Sequence, residues 1–549
     1  MTNKSSSSEN GSFVQNIRIY FREYCSCTSV HGLQYFSEKG RTIFERIWWF
    51  LIFASCAVAC SLSVYNIYIK WKETAIIVNP ANKETSLFTI PFPAVTICLE
   101  SVFGKNKPNY EKLLEDIETF KRTGNVSESL EFQYMSLICS SPPLNYTQSS
   151  NANRFKKFTS NFFRIMDEMK PDMHMVECSY NLFSSSCEHL FTPIITHEGI
   201  CYTFNILNRS ELFRDNVRHY ESFYTVPTKS SDWNIEGGYY EKASLNSYPF
   251  RIFSGGAENS LKLKILASDD DLDYGCKSIE LGYKVFLHTS VTIPDLNQEY
   301  FWLPLNQSVV ASVKPVMTSS SKSVKKYSPH ERKCYFQKER QLKYFQYYTS
   351  ANCKMECRAN YTLYLCDCVP FFMPKEETAE ICTDQLCMRK VDVIMLTDKI
   401  WHEVKGSNSR PSNNLLDLMS FTTEMLKSKN KTVQRMNCDC LPSCDELSYE
   451  VDTSQSALDV NKWFYSGRHS VNFSKPHISS LTIFFKSSPF IKTERKELYG
   501  SIDFLANFGG LLGLFSGFSV VSLVEMIYFL TIRILCNRYL FGRWVGQSD

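Results

Sequence analysis

Two long apolar segments, one near each end of the chain, constrain the fold more than any other feature of the sequence. The first, Ile47–Ile69, has 23 residues and no charged side chain. At about 1.5 Å of rise per residue, such a helix crosses a hydrocarbon core of about 30 Å. The second, Phe504–Ile532, contains one acid, Glu525, and four glycines. A buried core helix is the alternative for each segment, but both are too long and too apolar for that role, so we predict two transmembrane helices.

The long stretch between the two spans carries the signals of an extracellular domain. Sixteen of the 21 cysteines fall between Cys98 and Cys444, and an even set of this kind indicates disulfides formed in an oxidising compartment. A zinc cluster is the alternative, but histidine is scarce among these cysteines and no repeated CxxC pair occurs. The same stretch contains seven N-glycosylation sequons, at Asn125, Asn145, Asn208, Asn306, Asn360, Asn430 and Asn472.

These features predict a two-span protein of the plasma membrane with both termini in the cytoplasm. The predicted parts are a cytoplasmic N-terminus (1–46), a first span (47–69), an extracellular domain (70–503), a second span (504–532) and a cytoplasmic C-terminus (533–549). The expected surroundings of the two spans are membrane lipid.

Net charge and motifs exclude two classes of function. The formal net charge is +3, whereas nucleic-acid binders usually carry a strongly basic face, so no nucleic-acid partner is expected. A membrane-anchored ectoenzyme is a second possibility, but the sequence has no nucleophile elbow, paired metal-ligand motif or phosphate loop. The chain is therefore not predicted to be an enzyme, and neither a cofactor nor a metal site is expected.

Local patterns in the outer domain predict a mixture of strands and helices. Strand-like alternation occurs at Pro93–Leu99, Tyr283–Val291 and Ser480–Ser487. Helical spacing occurs at Asn109–Arg122, where Asn109 is a possible cap, and at Asn413–Lys429. The predicted fold class is therefore α+β.

The second span carries a recognisable family motif. Tyr499-Gly500 followed by LANFGGLLGLFSGFSVVSLVE resembles the pore segment of the degenerin/epithelial sodium channel family, which includes the acid-sensing channels. Four further landmarks follow the order of that family. They are His31-Gly32, FPAVTIC (Phe92–Cys98), GICYTFN (Gly199–Asn205) and a cysteine block from Cys334 to Cys444. The resemblance covers about residues 25–530 and is greatest to the insect pickpocket-type subunits.

The resemblance implies a fold and a disulfide pattern. The implied fold is α+β, with two transmembrane helices and a large, disulfide-rich, β-rich extracellular domain. That domain would contain the finger, thumb, palm, knuckle and β-ball of the acid-sensing channels, with the thumb block at about 334–444. The implied pairs are Cys98–Cys201, Cys178–Cys187, Cys334–Cys444, Cys353–Cys440, Cys357–Cys438, Cys366–Cys387 and Cys368–Cys382. Cys139 and Cys276 remain, and we expect an eighth bridge between them.

The resemblance also implies a function. The chain would be one subunit of a trimeric, amiloride-sensitive, sodium-selective channel, gated through its extracellular domain by an unknown stimulus. Its partners would be related subunits in a homo- or heterotrimer, and its permeant ion sodium. One alternative is a non-conducting or obligate heteromeric regulatory subunit of the same family. Another is an ATP-gated cation channel, which shares the topology but lacks this Gly-x-Ser and Cys-x-Cys pattern.

The expected selectivity filter is Gly517-Phe518-Ser519, which matches the family's Gly-x-Ser. A glycine exposes its backbone carbonyl and permits a break in the helix, and a serine adds a hydroxyl, so both suit a site where an ion sheds water. Close helix packing through Gly513 and Gly517 is the alternative. Because the family usually has a small middle residue, the bulky Phe518 leaves the exact selectivity open.

Four other positions are expected to act in the pore or its gating. Glu525 is an acid in an apolar span, which usually faces a pore or a partner; a snorkelling or hydrogen-bonded acid is the alternative. Ala506 matches the position where large side chains hold family channels open, and Gly513 matches a blocker-binding position, although ordinary helix packing could explain both. His31-Gly32 matches a cytoplasmic gating motif, against the alternative that the histidine is a surface or packed residue.

Two regions of the outer domain depart from simple transfer. Acid-sensing members place a tryptophan shortly before the first thumb cysteine, but here the stretch reads Tyr327-Ser328-Pro329-His330. We expect Trp71 or neighbouring aromatics to make the contact at the membrane surface instead. The acidic run Asp269–Asp273 is interpreted as a solvated loop rather than a proton sensor.

Overall fold

The structure is a computed structural model. It describes residues 13–541 apart from 39, 74–75, 108–109, 124–128, 140–161, 182, 219–229, 242, 244–246, 270, 274–275, 278–279, 296–297, 384, 407–419, 421–437, 467–474 and 499. The helix predicted over 413–429, apart from Ser420, lies outside the described residues, as do the sequons at Asn125, Asn145, Asn430 and Asn472.

The chain divides into two compact units, and each is composed of several chain segments. The first unit contains Met1–Val78, Ser321–Arg332 and Lys496–Asp549. The second contains Asn79–Ser320 and Lys333–Arg495.

The helices, numbered along the chain, fall into both units. They are α1 (Phe13–Cys27), α2 (Gln34–Ser37), α3 (Ile43–Glu73), α4 (Tyr110–Thr123), α5 (Leu130–Ile138), α6 (Phe162–Met169), α7 (Cys187–Leu190), α8 (Arg209–Leu212), α9 (Pro329–Arg332), α10 (Ser350–Cys366), α11 (Gln385–Gly406), α12 (Val460–Ser466), α13 (Ser501–Ser516), α14 (Val520–Leu530) and α15 (Ile532–Phe541). The helix predicted at Asn109–Arg122 is α4.

The strands are β1 (Ile76–Pro80), β2 (Ala94–Leu99), β3 (His174–Tyr180), β4 (Phe183–Ser184), β5 (Phe191–Thr196), β6 (Gly199–Phe204), β7 (Val217–Arg218), β8 (Trp233–Asn234), β9 (Gly238–Tyr239), β10 (Ser260–Ser268), β11 (Gly282–His288), β12 (Tyr300–Pro304), β13 (Gln307–Ser320), β14 (Lys375–Glu376), β15 (Glu446–Ala457), β16 (Pro476–Phe485) and β17 (Thr493–Glu497). The three predicted strands correspond to β2, β11 and β16.

The first unit contains the two predicted spans. Two stretches are long and apolar enough to cross a membrane, Ile43–Lys72 and Val520–Leu540, and α13 is a shorter apolar helix. The predicted first span lies within α3, whose 31 residues extend beyond it at both ends. The predicted second span is not one helix, because the helix is interrupted between α13 and α14. Within this unit α13 packs against α3, and the Trp71 and Phe504 rings lie 5.2 Å apart.

The second unit is built on two main sheets. The larger has the strand order β1-β17-β13-β16-β10-β3-β4, with β15 added beside β13, and the smaller has the order β12-β11-β2-β6-β5. Apolar side chains from both sheets form one core cluster, which includes Ile97, Leu263 and Ile483. The alternation in β16 explains its place there, because Leu481, Ile483 and Phe485 are buried while the residues between them are partly exposed.

Eight disulfides link the second unit. They are Cys98–Cys201, Cys139–Cys276, Cys178–Cys187, Cys334–Cys444, Cys353–Cys440, Cys357–Cys438, Cys366–Cys387 and Cys368–Cys382. These are the pairs that the family resemblance implies, together with the eighth bridge. The five cysteines outside the cluster, Cys25, Cys27, Cys56, Cys60 and Cys536, are free. The two apolar spans and the disulfide-rich α+β unit confirm the predicted fold class.

Within the acidic run Asp269–Asp273, Asp271 and Leu272 are not in the solvated loop that the sequence suggested. Asp271 is only 6% exposed and accepts a hydrogen bond of 2.6 Å from the Asn106 side-chain amide. Leu272 lies in the core cluster, and the Asp273 backbone N–H donates to the Ser101 hydroxyl at 2.9 Å. The sequence interpretation was wrong because acidic residues look solvated until their partners, which lie far away in the chain, are known.

Candidate pore site

The second span is interrupted by three residues that are not helical. Helix α13 ends at Ser516 and is capped by Gly517, which has a positive φ of 67° and donates its N–H to the Gly513 carbonyl at 2.9 Å. Ser519 is extended and begins α14. The Ser519 hydroxyl accepts from the Ser522 N–H at 3.3 Å, and the Ser522 hydroxyl accepts from the Ser519 N–H at 3.0 Å. The break is therefore closed by a left-handed glycine on one side and a capped serine on the other.

The loop between α1 and α2 lies against this break. The His31 backbone N–H donates to the Ser516 carbonyl at 2.9 Å. The His31 ring packs so closely on Gly517 that a Cβ there would lie 2.5 Å from Nδ1. Glycine at 517 is thus required twice, because of its left-handed φ and because no side chain fits beneath the histidine.

A hydrogen-bonded chain links the same loop to Glu525. Ser29 donates both its hydroxyl, at 3.0 Å, and its backbone N–H, at 3.2 Å, to Glu525 Oε2. The Ser29 hydroxyl also contacts the Ser522 hydroxyl at 2.6 Å, and Ser522 is fully buried. Ser519 and Glu525 are therefore connected through Ser522 and Ser29, and Glu525 accepts hydrogen bonds from Ser29 within one chain.

Helix α1 is fixed to the end of the second span by polar and aromatic contacts. Arg533 donates to Glu23 Oε1 from Nη2 at 2.6 Å and from Nε at 3.0 Å. The Tyr20 hydroxyl donates to the Phe529 carbonyl, and the Tyr24 and Phe529 rings meet edge to face at 5.4 Å. These contacts hold the segment that precedes the Ser29–His31 loop against the end of the second span.

One face of α13 has no close neighbour among the residues that the structure describes. Ala506 and Gly513 are exposed on it, and a Cβ at Gly513 would meet only the Phe518 carbonyl, at 4.0 Å, among the described residues. Phe504 and Phe508, on the other side of the helix, are half-buried. The described part of the chain therefore leaves Ala506 and Gly513 exposed.

The segment before the first thumb cysteine contacts the residues that lead into α13. The Tyr327 hydroxyl donates to Glu497 Oε1 at 2.6 Å, and Lys326 Nζ lies 2.6 Å from the same oxygen. Burial and the Glu497 carboxylate raise the pKa of Tyr327 well above its usual range. Burial acts to raise the pKa of Glu497, but the hydrogen bonds from Lys326 and Tyr327 outweigh it and lower that pKa. In the segment where the acid-sensing members have a tryptophan, this chain therefore has the Tyr327–Glu497 hydrogen bond. Trp71 packs on Phe504.

Sequence reasoning singled out Gly517-Phe518-Ser519, Glu525 and His31-Gly32 separately but missed the residues that join them. Ser29 and Ser522 were not expected to act, because single serines have no distinguishing pattern. Ser522 alone had a local signal, since it lies three residues after a serine at a helix start. Among the residues that the structure describes, no cluster of His, Cys, Asp or Glu could hold a metal ion.

Comparison with known proteins covers nearly the whole chain. Residues 24–529 match the family described as amiloride-sensitive sodium channel. The chain is 27% identical to Pickpocket protein 28 of Drosophila melanogaster over 529 residues. The aligned region covers 93% of this chain and 78% of that protein. It is 22% identical over 538 residues to Sodium channel protein Nach of the same species, and the aligned region covers 96% of this chain and 89% of that protein. It is 22% identical over 518 residues to Acid-sensing ion channel 1C of Danio rerio, and the aligned region covers 92% of this chain and 82% of that protein.

Proposed function

Because this chain belongs to the amiloride-sensitive sodium channel family, we propose that it is one subunit of a trimeric, amiloride-sensitive, sodium-selective channel of the plasma membrane. Its family is one of ion channels, not of enzymes, and membership implies the assembly of three related subunits. The two membrane spans agree with this place in the membrane.

The observation that carries the proposal is the break at Gly517-Phe518-Ser519 within an apolar span. Irregular backbone at membrane depth is tolerated only where it is buried in protein or lines water. Gly517 is left-handed and Ser519 extended, so the helical hydrogen-bonding pattern stops at these residues. In a trimer each position forms a ring of three, and carbonyl and hydroxyl oxygens of such rings can replace water around sodium.

Ala506 and Gly513 fit a gate and a blocker site on the same helix. Both lie on the exposed face of α13, on the extracellular side of the break in our proposed orientation. A small residue at 506 lets three helices approach closely, and a larger one would hold them apart. An open surface at Gly513 leaves room for an amiloride-type blocker above the filter.

The cytoplasmic side of the pore is proposed to include the protein's own N-terminus. His31-Gly32 lies against the filter, and Ser29 holds Glu525. Movement of this loop would change both the backbone of the filter and the placement of the acid. We therefore assign His31-Gly32 a gating role and Glu525 the role of an inner pore acid whose position Ser29 controls.

The experiment expresses the chain alone in oocytes with Ala506→Val and records current in sodium with and without amiloride. We expect a constitutive current that amiloride blocks and that reverses near the sodium equilibrium potential. Ala57→Val is the matched control, because Ala57 is an exposed alanine of the first span and the chemical change is the same. An amiloride-insensitive current, or one that both variants produce equally, would contradict the proposal.

Phe518 favours a second candidate, a subunit that does not conduct alone. Its aromatic side chain stands in the middle of the filter sequence, where it could narrow a three-fold ring. If Ala506→Val reaches the cell surface without current, Phe518→Ala in that background distinguishes the causes. Current from the double variant would identify the ring as the block, and continued silence would identify an obligate heteromer, to be tested by co-expression of related subunits.

A further inference from the structure

Helix α1 keeps apolar side chains exposed although it is fixed to the end of the second span. Ile17 and Phe21 are 45% and 55% exposed, while Glu23 and Tyr24 on another face of the helix contact the span. Ile17 and Phe21 lie four residues apart, so their side chains form one apolar ridge along the helix. Contiguous apolar surface of this kind marks a site where protein or membrane binds.

A basic ridge runs directly beside the apolar ridge. Arg18 and Arg22 are both exposed, and each follows a residue of the apolar ridge by one position, about 100° around the helix. The one other charged residue in the α1 sequence is Glu23, which pairs with Arg533 at 2.6 Å. The exposed surface of α1 therefore combines apolar side chains with positive charge.

The contacts of α1 with the second span determine its depth in the membrane. The Tyr24 ring meets the Phe529 ring at 5.4 Å, and Glu23 pairs with Arg533. Residues 529–533 are the place where the apolar sequence of the second span ends and its first arginine follows. With both termini in the cytoplasm, this place is the inner surface of the bilayer, and α1 lies beside it.

We propose that α1 is an interfacial helix that lies in the inner surface of the bilayer. Ile17 and Phe21 insert among the acyl chains, and Arg18 and Arg22 contact the phosphate groups of anionic lipids. Helices that lie in a membrane interface carry apolar and basic side chains on neighbouring faces in this way. The long arginine side chains can reach the phosphates while the helix itself lies deeper. Anionic lipids of the cytoplasmic leaflet attract basic side chains at this depth.

The bilayer then helps to hold the Ser29–His31 loop. Helix α1 ends at Cys27, and Ser29, which follows two residues later, donates to Glu525. Lipid on one face of α1 and the second span on another restrict the helix that leads into this loop. The anionic lipid content of the inner leaflet would thus change how firmly the loop is held. The inference rests on the position of the two spans in the membrane, not on the proposed conduction.

The test measures the depth of α1 in the full chain, reconstituted in nanodiscs of phosphatidylcholine and phosphatidylserine. A fluorescent bimane probe is attached at Phe21→Cys or at Ser26→Cys, an exposed position about 140° around the helix from Phe21. The background carries Cys27→Ser and Cys536→Ser, which remove the exposed free cysteines, and its own labelling is subtracted. Two quenchers are compared, a spin label on the lipid acyl chains and iodide in the water.

We expect the spin-labelled lipid to quench the probe at 21 and iodide to quench the probe at 26. The iodide quenching constant at 21 should be about a tenth of that at 26, because burial of an apolar group shifts its partition by about tenfold. Iodide quenching of both probes would show that α1 lies in water. Shielding of the probe at 21 from both quenchers would show that protein, such as a second copy of this chain, covers the ridge. Either result would overturn the inference.

The basic ridge is tested by a change of lipid. Replacement of phosphatidylserine by phosphatidylcholine should raise the iodide quenching of the probe at 21, because the arginines lose their anionic partners. The double variant Arg18→Gln, Arg22→Gln should give the higher value in both lipids. Arg538→Gln removes the same charge from an exposed position of α15 and should keep the dependence on lipid.

Iodide quenching that is equal in the two lipids would overturn the assignment of Arg18 and Arg22 to lipid phosphates. Both measurements are independent of current. A chain that conducts nothing would therefore contradict the proposed function and leave this inference unchanged, whereas a solvated α1 in a conducting chain would do the reverse.

Discussion

Gly517→Ala is expected to undo the contact between the N-terminal loop and the break in the second span. The new Cβ would lie 2.5 Å from His31 Nδ1, whereas ordinary contact begins at 3.4 Å, so the ring must retreat by 0.9 Å. A left-handed φ costs a residue with a Cβ about 1–2 kcal/mol, and overpacking costs about 1–3 kcal/mol more. A total of about 3 kcal/mol corresponds to a shift of about a hundredfold in the docking equilibrium.

The assay is amiloride-sensitive current per surface channel in the Ala506→Val background, with surface protein measured by biotinylation. We expect Gly517→Ala to reduce that current to less than about a tenth, because a docking equilibrium shifts tenfold for about 1.4 kcal/mol. His31→Ala removes the ring and thus the clash, but not the backbone strain. Adding Gly517→Ala to His31→Ala should therefore reduce the current per surface channel by a smaller factor than adding Gly517→Ala to the parent does.

The control for backbone strain is Gly256→Ala. Gly256 also has a positive φ, of 102°, but a Cβ there would meet nothing within 4 Å. It should leave the current per surface channel unchanged. A Gly517→Ala current within twofold of its parent, or no recovery of current on removal of the His31 ring, would show that this contact does not matter for conduction.

Three further predictions concern other parts of the chain. Ser29→Ala should change current per channel by about tenfold in voltage-clamp recordings, because the Glu525 carboxylate loses a hydrogen bond of about 1.5 kcal/mol. Ser29→Thr keeps the hydroxyl and should resemble the parent. The double variant Cys139→Ser, Cys276→Ser should destabilise the chain by about 2–4 kcal/mol in thermal unfolding, because it removes a disulfide. Cys27→Ser, which changes a free cysteine, should have no effect, and equal melting temperatures of the two proteins would contradict the role of the bridge. Burial lowers the pKa of His288 from 6.5 to about 4, so on acidification the unfolded chain binds a proton at this histidine before the folded chain does. The free energy of unfolding should therefore fall as pH drops from about 6.5 to about 4, by up to about 3 kcal/mol relative to His288→Gln. Parallel pH profiles of the two proteins would contradict this prediction.

The sequence predicted those features that depend on local patterns or on the family motif. Uninterrupted apolar length predicted the first span, and alternation predicted β16, since burial follows directly from these periods. The disulfide pairs followed from resemblance, because spacing alone does not determine connectivity.

Contacts between distant residues could not be predicted. Nothing near Ser29 indicates that it bonds Glu525, which lies 496 residues away. Asp271 is buried because Asn106 offers it a hydrogen bond, a partner 165 residues distant. Polar side chains are thus least predictable where their partners are far apart in the chain.

The contact of the N-terminal loop with the second span has a consequence for biosynthesis. Residues 20–31 leave the ribosome first, but their partners lie at 516–533, separated by as many as 510 positions. At about 5–20 residues per second, translation leaves the loop without its partners for about 25–100 s. The contacts of the N-terminal segment with the second span can therefore form only after the outer domain has been synthesised. A chain that stalls before the second span would lack Glu525 and Phe529, the residues that Ser29 and Tyr24 contact.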